Sequence, residues 1–436
     1  MLEGVTSLMD KSLLRQREHE GEELRLLMLE TIREYGLECL AMSGEMEAAQ
    51  RAHAAYYLRL AEEAEPELRG AQQVVWLARL DPEHDNLRAA LRWSVESGET
   101  ETALRLGGAL WCFWTVRGHV SEGRQWLERA LSNSSGVEAS VRARALNRAG
   151  LLARYQSDYG RAAELSEESL TLSRQLGDRQ GIAASLNELA LVAMMRGDYV
   201  AAHAMYEEGL TLLRALGDKW DLADTLLLSA YVRSVFQGDY AAASSMIEES
   251  QVIFKELGDQ RGVAYASSIL GQLSLSQGRF DPARRLQEES LRVFRSLGDW
   301  QGTTLSLFFL AKAASSQGHY LAARALFEEI LSHLGELDDK WFIAGCLDEL
   351  ARVIAAQGQP GWAARLWGAA ETLRDTTGVF IPPVEQANYE RAVTAARLQA
   401  GEEAFAAAWE EGRSMTPEQA LTPPELAIAP ADAPEP

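Results

Sequence analysis

A tripeptide that returns at a fixed interval constrains this chain more than any other feature. Leu-Gly-Asp occurs at Leu176-Gly177-Asp178, Leu216-Gly217-Asp218, Leu257-Gly258-Asp259 and Leu297-Gly298-Asp299, with Leu337-Asp338-Asp339 as a decayed fifth copy. The glycines lie 40, 41 and 40 residues apart. A second mark keeps step with the first: Gly197-Asp198-Tyr199, Gly238-Asp239-Tyr240, Gly278-Arg279-Phe280, Gly318-His319-Tyr320 and Gly358-Gln359-Pro360. A fixed period of this length means a solenoid, in which each unit buries its apolar face against its neighbours.

Each unit reads as two helices. Between Gly177 and Gly197 the residues Ile182, Leu186, Leu189, Ala190 and Ala193 form a stripe at three- and four-residue spacing. Ala201, Ala202, Met205, Tyr206, Leu210, Leu213 and Leu216 do the same in the next half. Glycine supplies the positive φ that ends a helix, and the following aspartate caps the next one. Leu-Gly-Asp therefore separates hairpins, and Gly-x-aromatic is the turn inside one. Small residues recur where helices must meet closely: Ala190, Ala230, Gly271, Ala311 and Ala351 in first helices, and Ala202, Ala243, Ala283, Ala323 and Ala363 in second helices. At these positions the chain resembles the tetratricopeptide repeat family in a form of roughly 40 residues. The resemblance implies an all-α fold, a right-handed α-α superhelix of helical hairpins.

The chain has 436 residues and a net charge of -22. That balance argues against a general nucleic-acid surface and against anionic membranes. No apolar run is long enough to span a bilayer and no signal pattern opens the sequence. Only Cys39, Cys112 and Cys346 are present. Sparse, odd thiols suit a reducing cytoplasm, which is the expected location.

Residues 1–43 differ from the rest. Leu2 to Leu8 reads as a short helix. The runs Ser12 to Arg15 and Leu24 to Leu27 flank the polar stretch His19 to Glu23 and read as a β-hairpin. A helix from Leu29 to Leu40 follows. Leu8-Met9-Asp10-Lys11-Ser12-Leu13-Leu14 and Met28-Leu29-Glu30-Thr31-Ile32-Arg33-Glu34-Tyr35 resemble the end of the winged-helix module in bacterial signal-transduction ATPases, the regulators related to LuxR-type and AfsR-type activators. The similarity continues through His53-Ala54-Ala55-Tyr56-Tyr57, the stretch Glu83 to Leu91, Arg117-Gly118-His119 and Gly123 to Leu127. It implies an order of nucleotide-binding domain, winged helix, helical repeats and often a DNA-binding helix-turn-helix. The phosphate loop of that ATPase needs a Gly-Lys pair, and none occurs in this sequence. ATP hydrolysis is therefore not carried over. Residues 1–43 hold nine acidic and five basic side chains, so a structural lid on the first solenoid helices is expected rather than a DNA contact.

The expected organisation is a partial winged-helix module (1–43), a helical capping module with a first hairpin (44–136), the repeat solenoid (137–376), C-terminal capping helices (377–414) and a disordered tail rich in Pro and Ala (415–436). Two long helices, Glu45 to Ala64 and Ala71 to Ser97, open the capping module, with Pro66 between them and Pro82 breaking the second. Trp76, Trp93, Trp111, Trp114 and Trp126 read as its packed core rather than a ligand cage. Trp220, Trp300 and Trp341 read as packing staples between units.

Catalytic patterns are missing. The seven histidines are scattered with no partner at metal-ligand spacing, and no cofactor or metal is expected. Paired glutamates at Glu167-Glu168, Glu207-Glu208, Glu248-Glu249, Glu288-Glu289 and Glu328-Glu329 follow the repeat period, which marks a solvated face rather than an acid/base dyad. A solenoid instead offers a concave wall made of first helices. Aligning units on Leu-Gly-Asp places Asn187, Leu227, Ser268, Phe308 and Asp348 in one column, and Leu191, Tyr231, Gln272, Lys312 and Arg352 four residues on. These ten vary while the packing positions stay alike, as a specific groove requires, with Tyr231 and Phe308 as aromatic anchors. The expected function is non-enzymatic: binding of a protein, a peptide or a small inducer, as the sensor part of an ATPase-type transcriptional regulator. A free-standing scaffold for protein–protein interaction is the alternative.

Overall fold

The computed structural model of the chain describes residues 2–17, 25–234, 238–332 and 339–423. Helix α1 (Leu2–Asp10) leads into strands β1 (Leu14–Arg17) and β2 (Arg25–Met28), which pair antiparallel with Leu14 opposite Met28, and α2 (Glu30–Ser43) follows. This is the helix–hairpin–helix order read from the short apolar runs. The expected hairpin turn, His19 to Glu23, lies outside the described residues. The lid expectation is corrected: α2 buries none of its side chains, and Leu27, Leu29, Tyr35 and Met42 are exposed. The described chain brings too little apolar surface to α2 to cover it.

The capping module comprises α3 (Met46–Glu67), α4 (Gln73–Leu80), a 3-10 turn (Asp81–Glu83), α5 (His84–Glu96), α6 (Thr100–Ala109), α7 (Trp111–Arg117) and α8 (Val120–Leu131). Pro82, which has no N–H to donate, opens the 3-10 turn and divides the second long helix. Pro66 is not between helices but in the last turn of α3. Trp114 is completely buried and packs against Gly123, where an added Cβ would come within 2.2 Å of the indole.

Six hairpins follow: α9 (Ala139–Tyr155) with α10 (Tyr159–Leu176), α11 (Arg179–Met195) with α12 (Tyr199–Leu216), α13 (Lys219–Val232) with α14 (Tyr240–Leu257), α15 (Gln260–Ser276) with α16 (Phe280–Leu297), α17 (Trp300–Ser316) with α18 (Tyr320–Leu331), and α19 (Lys340–Ala356) with α20 (Pro360–Thr377). Neighbouring helices pack in sequence order, which makes an α-α superhelix. The punctuation works as its chemistry dictates. Gly177, Gly217, Gly258 and Gly298 end helices in the left-handed region, and Asp178, Asp218, Asp259 and Asp299 each accept the backbone N–H three residues on. Where the second mark lacks aspartate, at Arg279, His319 and Gln359, no side chain caps the helix. All ten recurrent small residues are buried. Buried serines tie the two helices of a hairpin: Ser169, Ser250 and Ser290 donate to the carbonyls of Ala143, Ala223 and Ala264 at 2.7, 2.7 and 2.9 Å.

The paired glutamates are all exposed on the second helices. They meet arginines of adjacent units, as in Arg174–Glu208 at 3.3 Å, Arg214–Glu249 at 3.6 Å and Arg295–Glu329 at 3.3 Å. Exposed pairs like these each contribute only ~0.2–1 kcal/mol.

At the far end, α21 (Pro383–Ala400) and α22 (Glu402–Arg413) follow, and α22 seals α20. Gly368 and Gly412 let the two backbones touch; a Cβ at Gly412 would sit 2.1 Å from the Arg365 carbonyl oxygen. The disordered-tail boundary at 415 is corrected. Helix α23 (Pro417–Leu421) opens with a Thr416/Gln419 capping box, buries Ala420, and receives a 2.9 Å bond from Trp362 Nε1. The rest of that tail, 424–436, lies outside the described residues.

The superhelix meets itself. Gln73 of α4 donates to Asp259 Oδ1 at 2.6 Å, at the start of α15. Arg117 of α7 bridges Asp81, at 2.6 Å, and the Leu297 carbonyl. Trp300 packs on Gly118 so closely that a Cβ there would lie 2.9 Å from its Nε1. Further along, Ser157 Oγ hydrogen-bonds Asp339 Oδ1 at 2.8 Å and accepts the Trp341 N–H at 3.1 Å. Ser157 stands one period before Gly197, where a glycine would be expected, and adopts φ 57. Left-handed backbone costs a non-glycine residue about 1 kcal/mol, offset here by the bonds its hydroxyl makes. Trp300 and Trp341 therefore lie at the seam, while Trp220 does both: its indole N–H bonds Asp259 of the next unit at 2.7 Å, as a staple would, and its ring lies 6.2 Å from Trp111 of the capping module.

Candidate functional site

Closure turns the concave wall into a cavity of about 910 Å³. Nine of the ten groove candidates line it: Asn187 and Leu191 on α11, Leu227 and Tyr231 on α13, Gln272 on α15, Phe308 and Lys312 on α17, and Asp348 and Arg352 on α19. Ser268 does not, and its assignment is corrected. It is fully buried, and its Oγ bonds Gln287 Oε1 of α16 at 2.8 Å while Gln287 Nε2 donates to the Ser268 carbonyl at 2.7 Å. That clamp turns the side chain away from the groove.

The two anchors differ. Burial, with Glu385 adding to it, pushes the Tyr231 phenol up to about 12, so it stays neutral and able to donate. Phe308 belongs to an aromatic cluster, 5.4 Å from Phe309, 5.8 Å from Phe327 and 5.5 Å from Phe342, with the Lys312 ammonium 5.5 Å from its ring centre.

The wall is charged as well as aromatic. Arg154 pairs with Glu188 at 2.8 Å, Arg352 with Glu349 at 2.8 Å, and Lys312 sits between Glu349 at 3.1 Å and Glu385 at 2.6 Å. Arg374 meets Asp348, yet burial still lifts that carboxyl to about 7. Asp224 also rises to about 7, first from burial and then from Asp221 and Glu188 beside it. Desolvating charges costs several kcal/mol each unless they are paired. Asn147, Arg148, Asn187 and Asp348 line the same space, and among the described residues Asn147 Nδ2, Arg148 Nε, Asn187 Oδ1 and Asp348 Oδ1 are buried without a hydrogen-bond partner.

Several lining residues escaped the alignment. Asn147 and Leu151 stand 40 residues before Asn187 and Leu191, so extending the two columns back one period finds both. No Leu-Gly-Asp precedes α9, so the tripeptide gives no register there. Trp111, read as core, is mostly buried but also faces the cavity. Phe380, Pro382, Glu385 and Tyr389 close the C-terminal side, and no periodic signal marks them.

The fold also joins His84 and His119, which sequence spacing kept apart: their rings stack at 4.1 Å, with Glu122 Oε2 3.3 Å from His84 Nε2. Both Glu122 oxygens are engaged by Arg88, at 2.7 and 2.5 Å, and the Glu122 carboxyl is held down at about 2 against burial by His84 and Arg88. The group is an ion-pair bridge between α5 and α8.

The tetratricopeptide repeat family matches residues 141–215 and 263–335. Over 187 residues the chain is 36% identical to a candidate HTH-type transcriptional regulator of Mycobacterium tuberculosis, and equally to one of Mycobacterium bovis; the match covers 41% of this chain and 21% of each relative. The chain thus spans about a fifth of the length of these relatives. Among solved structures, it is similar to the Rap conjugation gene regulator of plasmid pLS20 in complex with the Phr* peptide (TM-score 0.52, 10% identity, 74% of this chain and 96% of that one). It is also similar to a Rap protein complexed with competence and sporulation factor (TM-score 0.51, 12% identity, 81% and 99%). At these identities the likeness is one of fold. No helix among the described residues is long and apolar enough to cross a membrane.

Proposed function

We propose that this chain is the sensor region of a transcriptional regulator and that its closed superhelix binds a short peptide or small inducer. One observation carries the reading. The 910 Å³ space is ringed by ion pairs, phenols and polar atoms that lack a partner, where a purely structural interior would be apolar. The repeat family and the identity to HTH-type regulators support a sensing role. The peptides named with the two Rap structures make a peptide the first ligand to try.

The test is native mass spectrometry of the full chain mixed with synthetic hexapeptide pools. Retained peptides should disappear with Tyr231→Ala combined with Phe308→Ala while circular dichroism stays helical. No retained peptide or small acid from any pool would end the sensor reading.

A further inference from the structure

We infer that the α7/α9 end of the cavity is a seat for a carboxylate, formed by Arg148 and Asn147 beside Trp111. The inference rests on the cavity being a ligand site and specifies what the ligand must carry.

Four observations converge there. The Arg148 guanidinium lies 4.5 Å from the Trp111 ring centre, stacked rather than paired. Among the described residues it forms no ion pair; its one side-chain bond is a long 3.4 Å contact to Asn147 Oδ1, and its Nε has no partner. Asn147 lines the cavity and is 4% exposed, and its Nδ2, a donor, is buried without a partner among the described residues. The nearby acids are already engaged. Glu65 receives Arg144, Arg69 and Trp111 Nε1, and Asp221 faces Arg69 at 3.7 Å.

The site therefore holds one cation more than its own acids answer. Burial and the neighbouring Arg69 lower the affinity of Arg148 for its proton, to a pKa of about 10, which still leaves it charged at neutral pH. Every other cavity cation described above has a carboxylate. A desolvated guanidinium with an adjacent amide donor matches the two oxygens of a carboxylate, which accepts from both. A peptide C-terminus and an Asp or Glu side chain both present this chemistry.

Three hexapeptide pools separate the sources: free C-termini without Asp or Glu, amidated C-termini with Asp and Glu, and amidated termini without either. The full chain should retain at least one carboxylate-bearing pool about ten-fold over the third. Which pool is enriched identifies the source. Arg148→Gln keeps a planar group over Trp111 and should erase the preference while the third pool is retained as before. Asn147→Asp, nearly isosteric, should do the same by answering Arg148 internally. Equal retention of all three pools, or a preference that survives Arg148→Gln, overturns the seat and leaves the ligand site standing. Retention of no pool removes both.

Discussion

Equivalent corners of two repeat units, two periods apart, have different surroundings. Asp178, at the start of α11, is exposed and accepts the Gly181 N–H at 3.0 Å. Asp259, at the start of α15, is 2% exposed and accepts the Gly262 N–H at 2.7 Å, Gln73 Nε2 at 2.6 Å and Trp220 Nε1 at 2.7 Å. The local sequence, Leu-Gly-Asp, is the same. One corner caps a helix; the other also fastens the superhelix to its capping module. A repeat motif thus specifies a hairpin, and only its surroundings decide whether that hairpin becomes part of the seam.

Asp259→Ala should cost about 3–5 kcal/mol, since three buried donors lose their acceptor, whereas Asp178→Ala should cost about 1 kcal/mol; urea midpoints of the two variants measure the gap. Equal losses would mean the seam contributes nothing. Asp224→Asn should sharpen the role of the inner wall. The folded carboxyl titrates near 7 and the unfolded one near 3.8, so the folded state holds the extra proton and wild-type stability falls as pH rises between those values. The variant should therefore gain on the order of 1–3 kcal/mol over wild type at pH 8 and almost nothing at pH 4, read from paired thermal melts. Arg279→Asp supplies the cap that α16 lacks and should add about 1 kcal/mol, detectable as a raised urea midpoint. At the weak end, Glu207→Gln with Glu208→Gln on the outer face should change stability by less than ~1 kcal/mol and leave peptide retention unaltered.

The hairpins, their boundaries and the first-helix wall were legible because they follow from glycine backbone freedom, aspartate capping and spacing along one helix. Those are interactions over a few residues. The seam was not legible. It joins Ser157 to Asp339 and Gln73 to Asp259, pairs 182 and 186 residues apart with no shared motif. Ser268 illustrates the opposite error: its column position is right, but Gln287 on the adjoining helix claims it. Asn147 was within reach of the periodicity, one unit before the first tripeptide, whereas Arg148 aligns with Glu188, outside both columns. The C-terminal cavity wall follows Ile381-Pro382, where the periodicity has ended and spacing rules say nothing.

An open array of repeats can peel from either end, because each unit leans only on the next. Fastening α4 to α15 and α9 to α19 links units far apart in the stack, so loosening one bond of the hoop loosens all of them. Such a protein should melt in one step rather than fray unit by unit, and a molecule lodged at its centre should stiffen the circumference as a whole.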